Sequence, residues 1–507
     1  MIGFEPRRRI IFVLFSVSFA LANSEVHAFA ESDRPNILFI LTDDQSCSSL
    51  SCYGGSLVKT VHLDGLAEDG LRFTDAYVMP QCTPTRAALL TGQHTARSGM
   101  WHVIPWYGTP YAPVLEPLFR EELLPTQCRL PRMLQSSGYH TGMGGKWHLT
   151  TNREQGYYTH LFEGAASEFG FHEVAPAGEG SQNEGDKWVD HLTDHAIDFI
   201  KAHSDTPWFY YLSHHTLHGV VSAPPDLVKE YLDDGAPENG FGNATYLAAI
   251  EHLDASVGRL LAALDETGQR DNTIVVFLAD NGGVDTRYHH TRLDGKPADD
   301  SAPLAMRDQQ LESAPLREGK GSMYEGGIRV PCMVCWPDQI RPGQVSRTPI
   351  HVVDWLPTLL EAANHQSDQP EDGVSLLSLF RGETLPERSL YWYLPLYDLR
   401  WAATPCSIMR RGDWKLIEFY GDWFDEDKRY HTGHRVELYN LANDIGERND
   451  LSSKHPERVE SMQRQLSQWL SEMDIEPPRA NPHFDPSRAL LETRDKPAFL
   501  QGRTFGD

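Results

Sequence analysis

Two pairs of hard oxygen ligands follow two apolar runs of the sequence. Asp43 and Asp44 come after NILFIL and one threonine, and Asp280 and Asn281 come directly after TIVVFLA. Three carboxylates packed together repel one another strongly unless a cation lies among them. Either pair alone is typical of a turn or a helix cap. Both pairs at the ends of apolar runs favour a metal site, and oxygen-only ligation favours Ca²⁺ or Mg²⁺ over zinc.

Four further side chains could bind an anion or transfer protons. Lys146 and His148 end the stretch GYHTGMGGKWH, His218 ends HHTLH after the apolar run WFYYLS, and Lys320 lies in the glycine-rich PLREGKGSMYEGGIRVP. Two lysines and an arginine near a bound cation suit a tetrahedral oxyanion. The alternative is that both lysines are solvated surface charges, the usual environment of lysine.

The stretch QCTPTRAALLTG places a cysteine, Cys82, just ahead of a predicted helix. Thr83 suits the N-cap and Pro84 the first helical position, so Arg86 is expected one turn in, near the cysteine. A thiol in that position has a depressed pKa. Three interpretations remain open: half of a disulfide, a thiolate nucleophile, or a modified residue. A thiolate is poorly protected in an oxidising compartment and is a soft ligand, which matches a calcium-like site poorly.

The surrounding sequence predicts an α/β fold. NILFIL, WFYYLS and TIVVFLA are continuous apolar runs, typical of strands buried on both faces. A helix over Tyr246–Leu264, with Gly268 as its C-cap, lies between the last two runs. This order predicts a large, mostly parallel central sheet flanked by helices. Because ligands bind beyond the carboxyl ends of such strands, we expect the four stretches described above to deliver polar groups to one crevice.

The pattern changes after about residue 375. SIMRRGDWKLIEF and VELYNL predict strands joined by turns, and His455–Met473 predicts an amphipathic helix. These elements indicate a smaller C-terminal α+β subdomain. The predicted organisation is a signal peptide over residues 1–30, a catalytic α/β domain over 31–375, the α+β subdomain over 376–474 and a tail over 475–507.

Composition and charge limit the classes of partner. The chain has 507 residues, of which 40% are hydrophobic and 23% charged, and this is ordinary globular composition. A formal net charge of −26 argues against nucleic acid as a partner, because phosphates repel an acidic surface. An anionic small ligand remains compatible if its site is locally cationic.

The N-terminus resembles a secretory signal. Arg7, Arg8 and Arg9 precede the short apolar run IIFVLFSVSFALA, and Ala28-Phe29-Ala30 forms an A-x-A cleavage pattern. We expect maturation near Ala30, a secreted or periplasmic protein and no stable membrane insertion. A retained anchor is the alternative.

An exported protein places its cysteines in an oxidising compartment. Six of the seven could pair, which leaves one over. Cys332 and Cys335 have the spacing of half a zinc site, but no second C-x-x-C or suitably spaced histidine pair completes it. Their apolar surroundings, IRVPCMVCW, favour buried strand cysteines.

Taken together, these stretches resemble the type I sulfatases of the alkaline phosphatase superfamily. CTPTRAALLTG matches the family signature C-x-P-x-R-x-x-x-L-T-G, and GYHTGMGGKWH matches G-Y-x-T-x-x-x-G-K-W-H. PNILFILTDDQ, LADNGG, GKGSMYEGGIRVP, DWLPTLL and the C-terminal GDWKLI and ELYNLANDIGERNDL match as well. The resemblance covers nearly the whole of the expected mature chain.

The resemblance implies a modified nucleophile and a metal ion. A formylglycine-generating enzyme would convert Cys82 to Cα-formylglycine (3-oxoalanine), present as its hydrate. One Ca²⁺ would be held by that diol together with Asp43, Asp44, Asp280 and Asn281. One diol oxygen would attack the sulfur of a sulfate ester, and elimination would then release sulfate, whereas a plain serine would be left as a stable sulfate ester.

The resemblance also implies roles for the cationic and proton-transferring residues. Lys146 and Lys320 would bind the sulfate oxygens, and Arg86 would orient residue 82. His218, alone or with Lys320, would be the general acid for the leaving alcohol, and His148 would assist the elimination. His214 or His215 are alternatives to His218, since HHTLHG offers three histidines.

Two other functions compete with a sulfatase. The first is a phosphomonoester or phosphodiester hydrolase of the same superfamily, some of which also use formylglycine. The zinc phosphatases of that superfamily use a serine or threonine nucleophile, so a cysteine at position 82 disfavours them. The second is a non-catalytic glycan-binding protein, disfavoured because all the expected catalytic residues are present.

The predicted substrate is a sulfated glycan or a small sulfate ester. Candidate contacts are Trp101 and His102 in GMWHVIPWY and Arg287, His289 and His290 in DTRYHHTR. Aromatic rings can stack on sugars, and cations can pair with sulfates or carboxylates. Core packing or surface charge explains each of these residues equally well when it is considered alone.

Overall fold

The computed structural model describes residues 34–105, 108–151, 156–157, 160–161, 163–179, 184–238, 240, 242–284, 313–365, 367, 371–475 and 478–501. Its strands are β1 Asn36–Thr42, β2 Leu71–Tyr77, β3 Val114–Leu115, β4 His140–Gly145, β5 Gly156–Tyr157, β6 His160–Leu161, β7 Glu173–Val174, β8 Trp208–Ser213, β9 Thr273–Ala279, β10 Arg329–Cys335, β11 Gln344–Ser346, β12 Ile350–His351, β13 Ser389–Leu394, β14 Cys406–Arg411, β15 Trp414–Phe419, β16 Asp422–Phe424, β17 Tyr430–Thr432, β18 Arg435–Asn440 and β19 Arg479–Ala480. Its helices are α1 Val61–Glu68, α2 Cys82–Thr91, α3 Thr95–Ser98, α4 Arg129–Ser136, α5 Glu163–Ala166, α6 Val189–Ala202, α7 Pro225–Asp233, α8 Ala244–Glu266, α9 Glu325–Ile328, α10 Trp355–Ala362, α11 Leu377–Phe380 and α12 Pro456–Glu472.

The largest sheet has the strand order β11-β2-β10-β9-β1-β8-β4-β7, with β12 paired to β2. Strands β9, β1, β8, β4 and β7 run parallel, whereas β10 is antiparallel to both of its neighbours. The predicted mostly parallel central sheet is therefore confirmed. The strands β1, β8 and β9 coincide with the three apolar runs, and every residue in each is buried.

Helices cover both faces of this sheet. The side chains of Ile37, Phe39 and Leu41 contribute to one hydrophobic cluster, which includes residues of α2, α4 and α10. Leu38 and Ile40 contribute to the other, which includes residues of α1, α6 and α8. Alternate residues of a strand point to opposite faces, so a strand buried on both faces has to be apolar throughout. Burial on both faces holds the carboxyl ends of the strands rigidly at one edge.

The C-terminal region forms an antiparallel sheet with the order β13-β14-β15-β18. The predicted strands lie at β14, β15 and β18, with Gly412 in a left-handed conformation in the turn between β14 and β15. The predicted amphipathic helix is α12, which packs on β14 and β15. The boundaries at residues 375 and 474 stay predictions.

The predicted signal peptide lies outside the described residues. None of the described helices is long and apolar enough to cross a membrane. All seven cysteines are unpaired, so the structure holds none of the disulfides that the cysteine count allowed. Cys332 and Cys335 lie in β10 and are fully buried, which confirms the prediction of buried strand cysteines.

Candidate active site

Three carboxylates meet at the carboxyl edge of the central sheet. Asp43 and Asp44 follow β1, and Asp280 follows β9, which pairs with β1 up to Thr42 and Ala279. One carboxylate oxygen from each aspartate lies within 4.8 Å of the others. All three side chains are at most 1% exposed. The structure thus brings together the three aspartates that the two strand ends predicted as metal ligands.

The donor set of this cluster fits a hard cation. The side-chain Nδ2 of Asn281 donates to Asp44 Oδ1 at 2.8 Å, so Oδ1 of Asn281 is left as a possible ligand. Asn281 Oδ1 and Asp43 Oδ1 are buried and have no hydrogen-bond partner among the described residues. Such unsatisfied acceptors are costly unless a cation or donor meets them. The pKa of Asp280 is raised to about 6 by burial and by the charge of Asp43, a repulsion that a cation relieves.

Three buried cations surround the carboxylates. Lys146 Nζ donates to Asp43 Oδ2, and Lys320 Nζ donates to Asp44 Oδ1 at 2.6 Å and Oδ2 at 2.8 Å. Arg86 makes its ion pair with Asp280 at 2.7 Å. The charge of Asp44 raises the pKa of Lys320 against the effect of burial, so its ammonium form persists. Three positive charges therefore balance three negative charges.

Arg86 is held by several elements at once. Its Nη1 donates to the carbonyl of Lys146 at 2.9 Å and to Ser213 Oγ, and Ser213 Oγ donates to the same carbonyl at 2.7 Å. Ser213 ends β8 and was not among the predicted site residues. A serine at the end of an apolar run carries no distinctive sequence signal, so only the fold identifies it.

A glycine lets β4 and β8 approach each other closely next to Lys146. Gly145 has φ of +95°, and a Cβ atom there would lie 1.9 Å from the carbonyl oxygen of Ser213. The backbone N–H of Lys146 donates to that oxygen at 2.7 Å. Only glycine fits this position without displacing β8, and the contact aims the next residue, Lys146, into the site.

Cys82 is the first residue of α2 rather than a residue preceding it, and Gln81 is the N-cap. The prediction that Thr83 caps the helix is wrong, because its hydroxyl donates instead to the carbonyl of His148 at 3.0 Å. The predicted depression of the thiol pKa is also wrong. Burial raises the pKa of Cys82 to about 11 and outweighs the opposing charges of Lys146 and Lys320.

His218 lies beside the cysteine. One of its ring nitrogens is within 4.8 Å of Cys82 Sγ and of an Asp43 carboxylate oxygen. Its Nδ1 lies 2.8 Å from the carbonyl oxygen of Gly219 and can only donate to it, so Nε2 is the nitrogen left for proton transfer. Burial and the charge of Lys320 hold the pKa of His218 well below its usual value.

The other histidines are more deeply buried. His148 Nε2 contacts the carbonyl of Ile104 at 3.1 Å, and its backbone is left-handed with φ of 52°. His214 is fully buried, and His215 lies edge-on to Trp188 at 5.7 Å between ring centroids. Burial lowers the pKa of His214 to about 3 and holds that of His215 well below its usual value.

The predicted substrate contacts divide into two groups. Trp101 is buried and packs edge-on against Tyr393 at 5.7 Å, and His102 is fully buried. This burial favours the packing interpretation for both residues over direct contact with a sugar. Arg287, His289 and His290 lie outside the described residues.

Two further cations near the site were missed from the sequence. Lys187 is 1% exposed, donates to the carbonyl of Val220 at 2.8 Å, and its pKa is lowered to about 8 by burial. Arg400 contacts both oxygens of Asp398, at 2.8 and 2.7 Å, and Gln81 Nε2 donates to the second oxygen at 2.6 Å. Arg400 thus lies close to the residue that precedes Cys82, although more than 300 residues separate them in sequence.

The sulfatase family matches residues 35–365 of the chain. A second family, described as N-sulphoglucosamine sulphohydrolase, C-terminal, matches residues 319–476. Because the first match spans more than half of the sequence, the chain belongs to the sulfatase family and is a sulfuric ester hydrolase. The resemblance noted from the motifs is therefore confirmed.

Individual relatives cover most of the chain. Arylsulfatase A of Homo sapiens is 32% identical over 397 residues, which cover 71% of this chain and 70% of the relative. An N-acetylgalactosamine-6-O-sulfatase of Bacteroides thetaiotaomicron is 27% identical over 515 residues, covering 87% and 93%. The crystal structure of Ps i-CgsB has the same fold, with a TM-score of 0.66 and 23% identity over 89% of this chain and 95% of that chain.

Proposed function

We propose that this protein is a secreted carbohydrate sulfatase that uses a formylglycine hydrate at position 82 and one Ca²⁺. One arrangement carries the proposal: Cys82 Sγ, an Asp43 carboxylate oxygen and a His218 ring nitrogen all lie within 4.8 Å of one another. This position lies at the carboxyl edge of the sheet, where ligands of parallel α/β folds bind.

The metal and the modified residue would supply the charge and the nucleophile. Asp43, Asp44, Asp280, Asn281 and residue 82 would hold the Ca²⁺, which would polarise the sulfate oxygens. In the mature protein, Cβ of residue 82 would carry two oxygens, one of them in place of Sγ. Such a diol provides one oxygen for attack on sulfur and a second for the elimination that releases sulfate.

The lysines bind and stabilise the transferring group. Lys146 and Lys320 are both buried and positively charged, and their charges act on residue 82. Preorganised cations in a water-poor site stabilise the charge of a sulfuryl-transfer transition state strongly. Arg86 pairs with Asp280 and so orients one of the proposed metal ligands.

His218 transfers the proton to the leaving alcohol through Nε2, since Nδ1 donates to Gly219. A neutral imidazole suits this role if the ring gains its proton when substrate binds. The bound anion raises the pKa of the ring, and the ring then donates the proton to the leaving alcohol. His148, whose backbone carbonyl accepts from Thr83 Oγ1 near the start of α2, assists proton removal from residue 82 during elimination.

A sulfated carbohydrate is the proposed substrate class. One relative is named an N-acetylgalactosamine-6-O-sulfatase. Arg400, with a side chain that is 26% exposed beside Gln81, offers a cation for a sulfate or carboxylate of a neighbouring sugar. The predicted signal sequence supports secretion, which would give access to extracellular glycans.

A substrate panel tests this function. Protein produced in a host with a formylglycine-generating enzyme is assayed on sulfated mono- and oligosaccharides, a nitrophenyl sulfate and a nitrophenyl phosphate. We expect sulfate release from at least one sugar to exceed that from the aryl sulfate, and a Cys82→Ala control to be inactive on all of them. Activity confined to aryl sulfate would contradict the carbohydrate assignment, and faster phosphate turnover would contradict the proposed sulfuryl transfer.

A further inference from the structure

Three side chains of types that can bind a metal ion gather at the end of the central sheet remote from the active site. His140 begins β4, Glu173 lies in β7, and His203 directly follows α6. His140 Nε2 lies 2.8 Å and His203 Nε2 lies 3.4 Å from the same oxygen, Oε1, of Glu173. One ligand atom from each residue lies within 4.8 Å of the others. The length of β4, about 20 Å, separates this cluster from Lys146.

The fold holds the cluster together through a close helix–sheet contact. A Cβ atom at Gly142 would lie 2.6 Å from a ring carbon of Phe199, so α6 packs directly on β4. His203 comes one turn after Phe199, and its ring stacks on His140 at 3.9 Å and 19°. Gly142 pairs with Glu173 in the parallel register, so the carboxylate lies on the neighbouring strand.

Hydrogen bonds fix the tautomer and orientation of two rings. His203 Nδ1 lies 2.9 Å from the carbonyl oxygen of Phe199 and donates to it, which leaves the lone pair of the neutral ring on Nε2, facing Glu173. Metal-binding histidines commonly donate their second ring nitrogen to a carbonyl in this way. His172 stacks on the other face of His140 at 4.5 Å, and its Nδ1 accepts from the backbone N–H of Thr141, so it supports the ring.

We propose that His140, His203 and Glu173 form a zinc site that stabilises this end of the protein. Two imidazoles and one carboxylate are a ligand set that Zn²⁺ takes readily, with water in the fourth position. Two ligands of a tetrahedral Zn²⁺ lie about 3.4 Å apart, which matches the separation of His203 from Glu173. The three side chains are 28%, 16% and 42% exposed, so an ion can enter from solvent and the rings can open slightly around it.

The ion would tie together β4, β7 and the end of α6, so its effect is expected on stability and not on turnover. The alternative is a metal-free network in which a protonated histidine pairs with Glu173. The zinc site and the metal-free network differ in how they respond to Zn²⁺, since only the zinc site binds the ion with a defined stoichiometry.

The test is equilibrium dialysis of the full-length protein against Zn²⁺, with excess Ca²⁺ to occupy the catalytic carboxylates. We expect one zinc per chain and a zinc-dependent rise in melting temperature. Glu173→Gln and His203→Gln should each weaken binding at least about tenfold.

His434→Gln is the matched control, because His434 Nε2 also contacts a glutamate oxygen, Glu418 Oε1, at 2.9 Å. No third metal-binding side chain joins that pair among the described residues. The control should leave zinc affinity unchanged. X-ray absorption of the wild-type zinc complex should show imidazole ligands, a readout that does not depend on any variant folding. Absence of zinc binding, equal binding by the variants, or an all-oxygen ligand set would overturn the proposal.

Discussion

Arg86 donates two hydrogen bonds to a single oxygen of Asp280, from Nε at 3.0 Å and from Nη2 at 2.7 Å. The other oxygen, Oδ1, faces the backbone N–H of Asp44 at 3.3 Å. The guanidinium therefore fixes the rotation of the carboxylate and aims its second oxygen at the cluster. Neither side chain is exposed, so water cannot replace the contact.

Replacing Arg86 with lysine keeps the charge but removes this paired contact. We expect a loss of stability on the order of 3 kcal/mol and weaker binding of Ca²⁺, because Asp280 loses its fixed orientation. Urea unfolding and calcium titration measure the two effects. The matched control is Arg97→Lys, since Arg97 makes a similar pair with Asp372 but is 43% exposed. An equal effect in both variants would argue against a positioning role for Arg86.

Replacing Cys82 with serine should abolish turnover and leave the fold intact. Serine has one oxygen and cannot expel sulfate by elimination, so incubation with an aryl sulfate should leave a stable sulfate ester on the serine introduced at position 82. Peptide mass analysis detects that adduct. Cys52→Ser, at a half-buried cysteine, is the control and should retain activity. Sustained turnover by the serine variant would contradict the proposed chemistry.

Replacing His218 with glutamine should slow hydrolysis more for poor leaving groups than for good ones. A general acid matters most when the leaving alkoxide is basic, with effects of about 10²–10⁴-fold on the rate. The measurement is kcat/KM for a series of aryl and alkyl sulfates. His214→Gln and His215→Gln serve as comparisons. If His215→Gln gave the steeper dependence on the leaving group, the proton donor would be His215.

Chelation of Ca²⁺ should stop hydrolysis and lower the melting temperature, and added Ca²⁺ should restore both. At a free concentration 100 times Kd, the ion stabilises the folded state by about 2.7 kcal/mol. Differential scanning calorimetry with and without EGTA measures the shift. Asp280→Asn should reduce the calcium-dependent shift. Full activity in EGTA would show that no calcium is required.

Asp422→Asn should change how stability depends on pH. Burial raises the pKa of Asp422 to about 7, although the Tyr397 and Tyr430 hydroxyls donate to it at 2.9 and 2.6 Å. Between about pH 4 and pH 7 the folded protein keeps a proton that the unfolded chain has lost, so the free energy of unfolding falls as pH rises. The asparagine variant has no carboxyl group at this position, so it lacks this fall in the free energy of unfolding.

Relative to that of wild type, the free energy of unfolding of Asp422→Asn should rise by on the order of 2–3 kcal/mol between pH 5 and pH 8. Urea unfolding at the two pH values measures the difference. Tyr430→Phe is a useful comparison. Removing a hydrogen-bond donor to the carboxylate should raise the pKa of Asp422 further, so the free energy of unfolding should keep falling to higher pH. Parallel pH profiles of the asparagine variant and wild type would argue against a protonated Asp422.

The sequence predicted the sheet and most of the proposed site because both follow from simple patterns. Strands buried on both faces must be apolar throughout, so β1, β8 and β9 were visible as continuous runs. The helix α8 extends two residues beyond its predicted limits at each end, and Asn243 caps it by accepting from the N–H of Tyr246 at 3.1 Å. The convergence of Asp43 and Asp280 followed from the rule that parallel strands end at the same edge.

Other features depend on contacts that no local pattern contains. Arg400 reaches the site from the C-terminal region. The hydroxyl of Thr83 donates to the carbonyl of His148 instead of capping α2. The thiol of Cys82 has a raised pKa because complete burial outweighs nearby cations. Burial and partners distant in sequence are properties of the folded chain, so these outcomes required the structure.

The balance of three buried cations against three buried aspartates has a thermodynamic consequence. A divalent cation added to this neutral set leaves it with a net charge of +2, which attracts an anion, and a bound anion in turn attracts the cation. Thermodynamic linkage requires that each ligand increases the affinity of the protein for the other by the same factor. Calcium and a sulfate ester should therefore bind cooperatively, and inorganic sulfate should raise the apparent affinity for calcium as much as calcium raises that for sulfate.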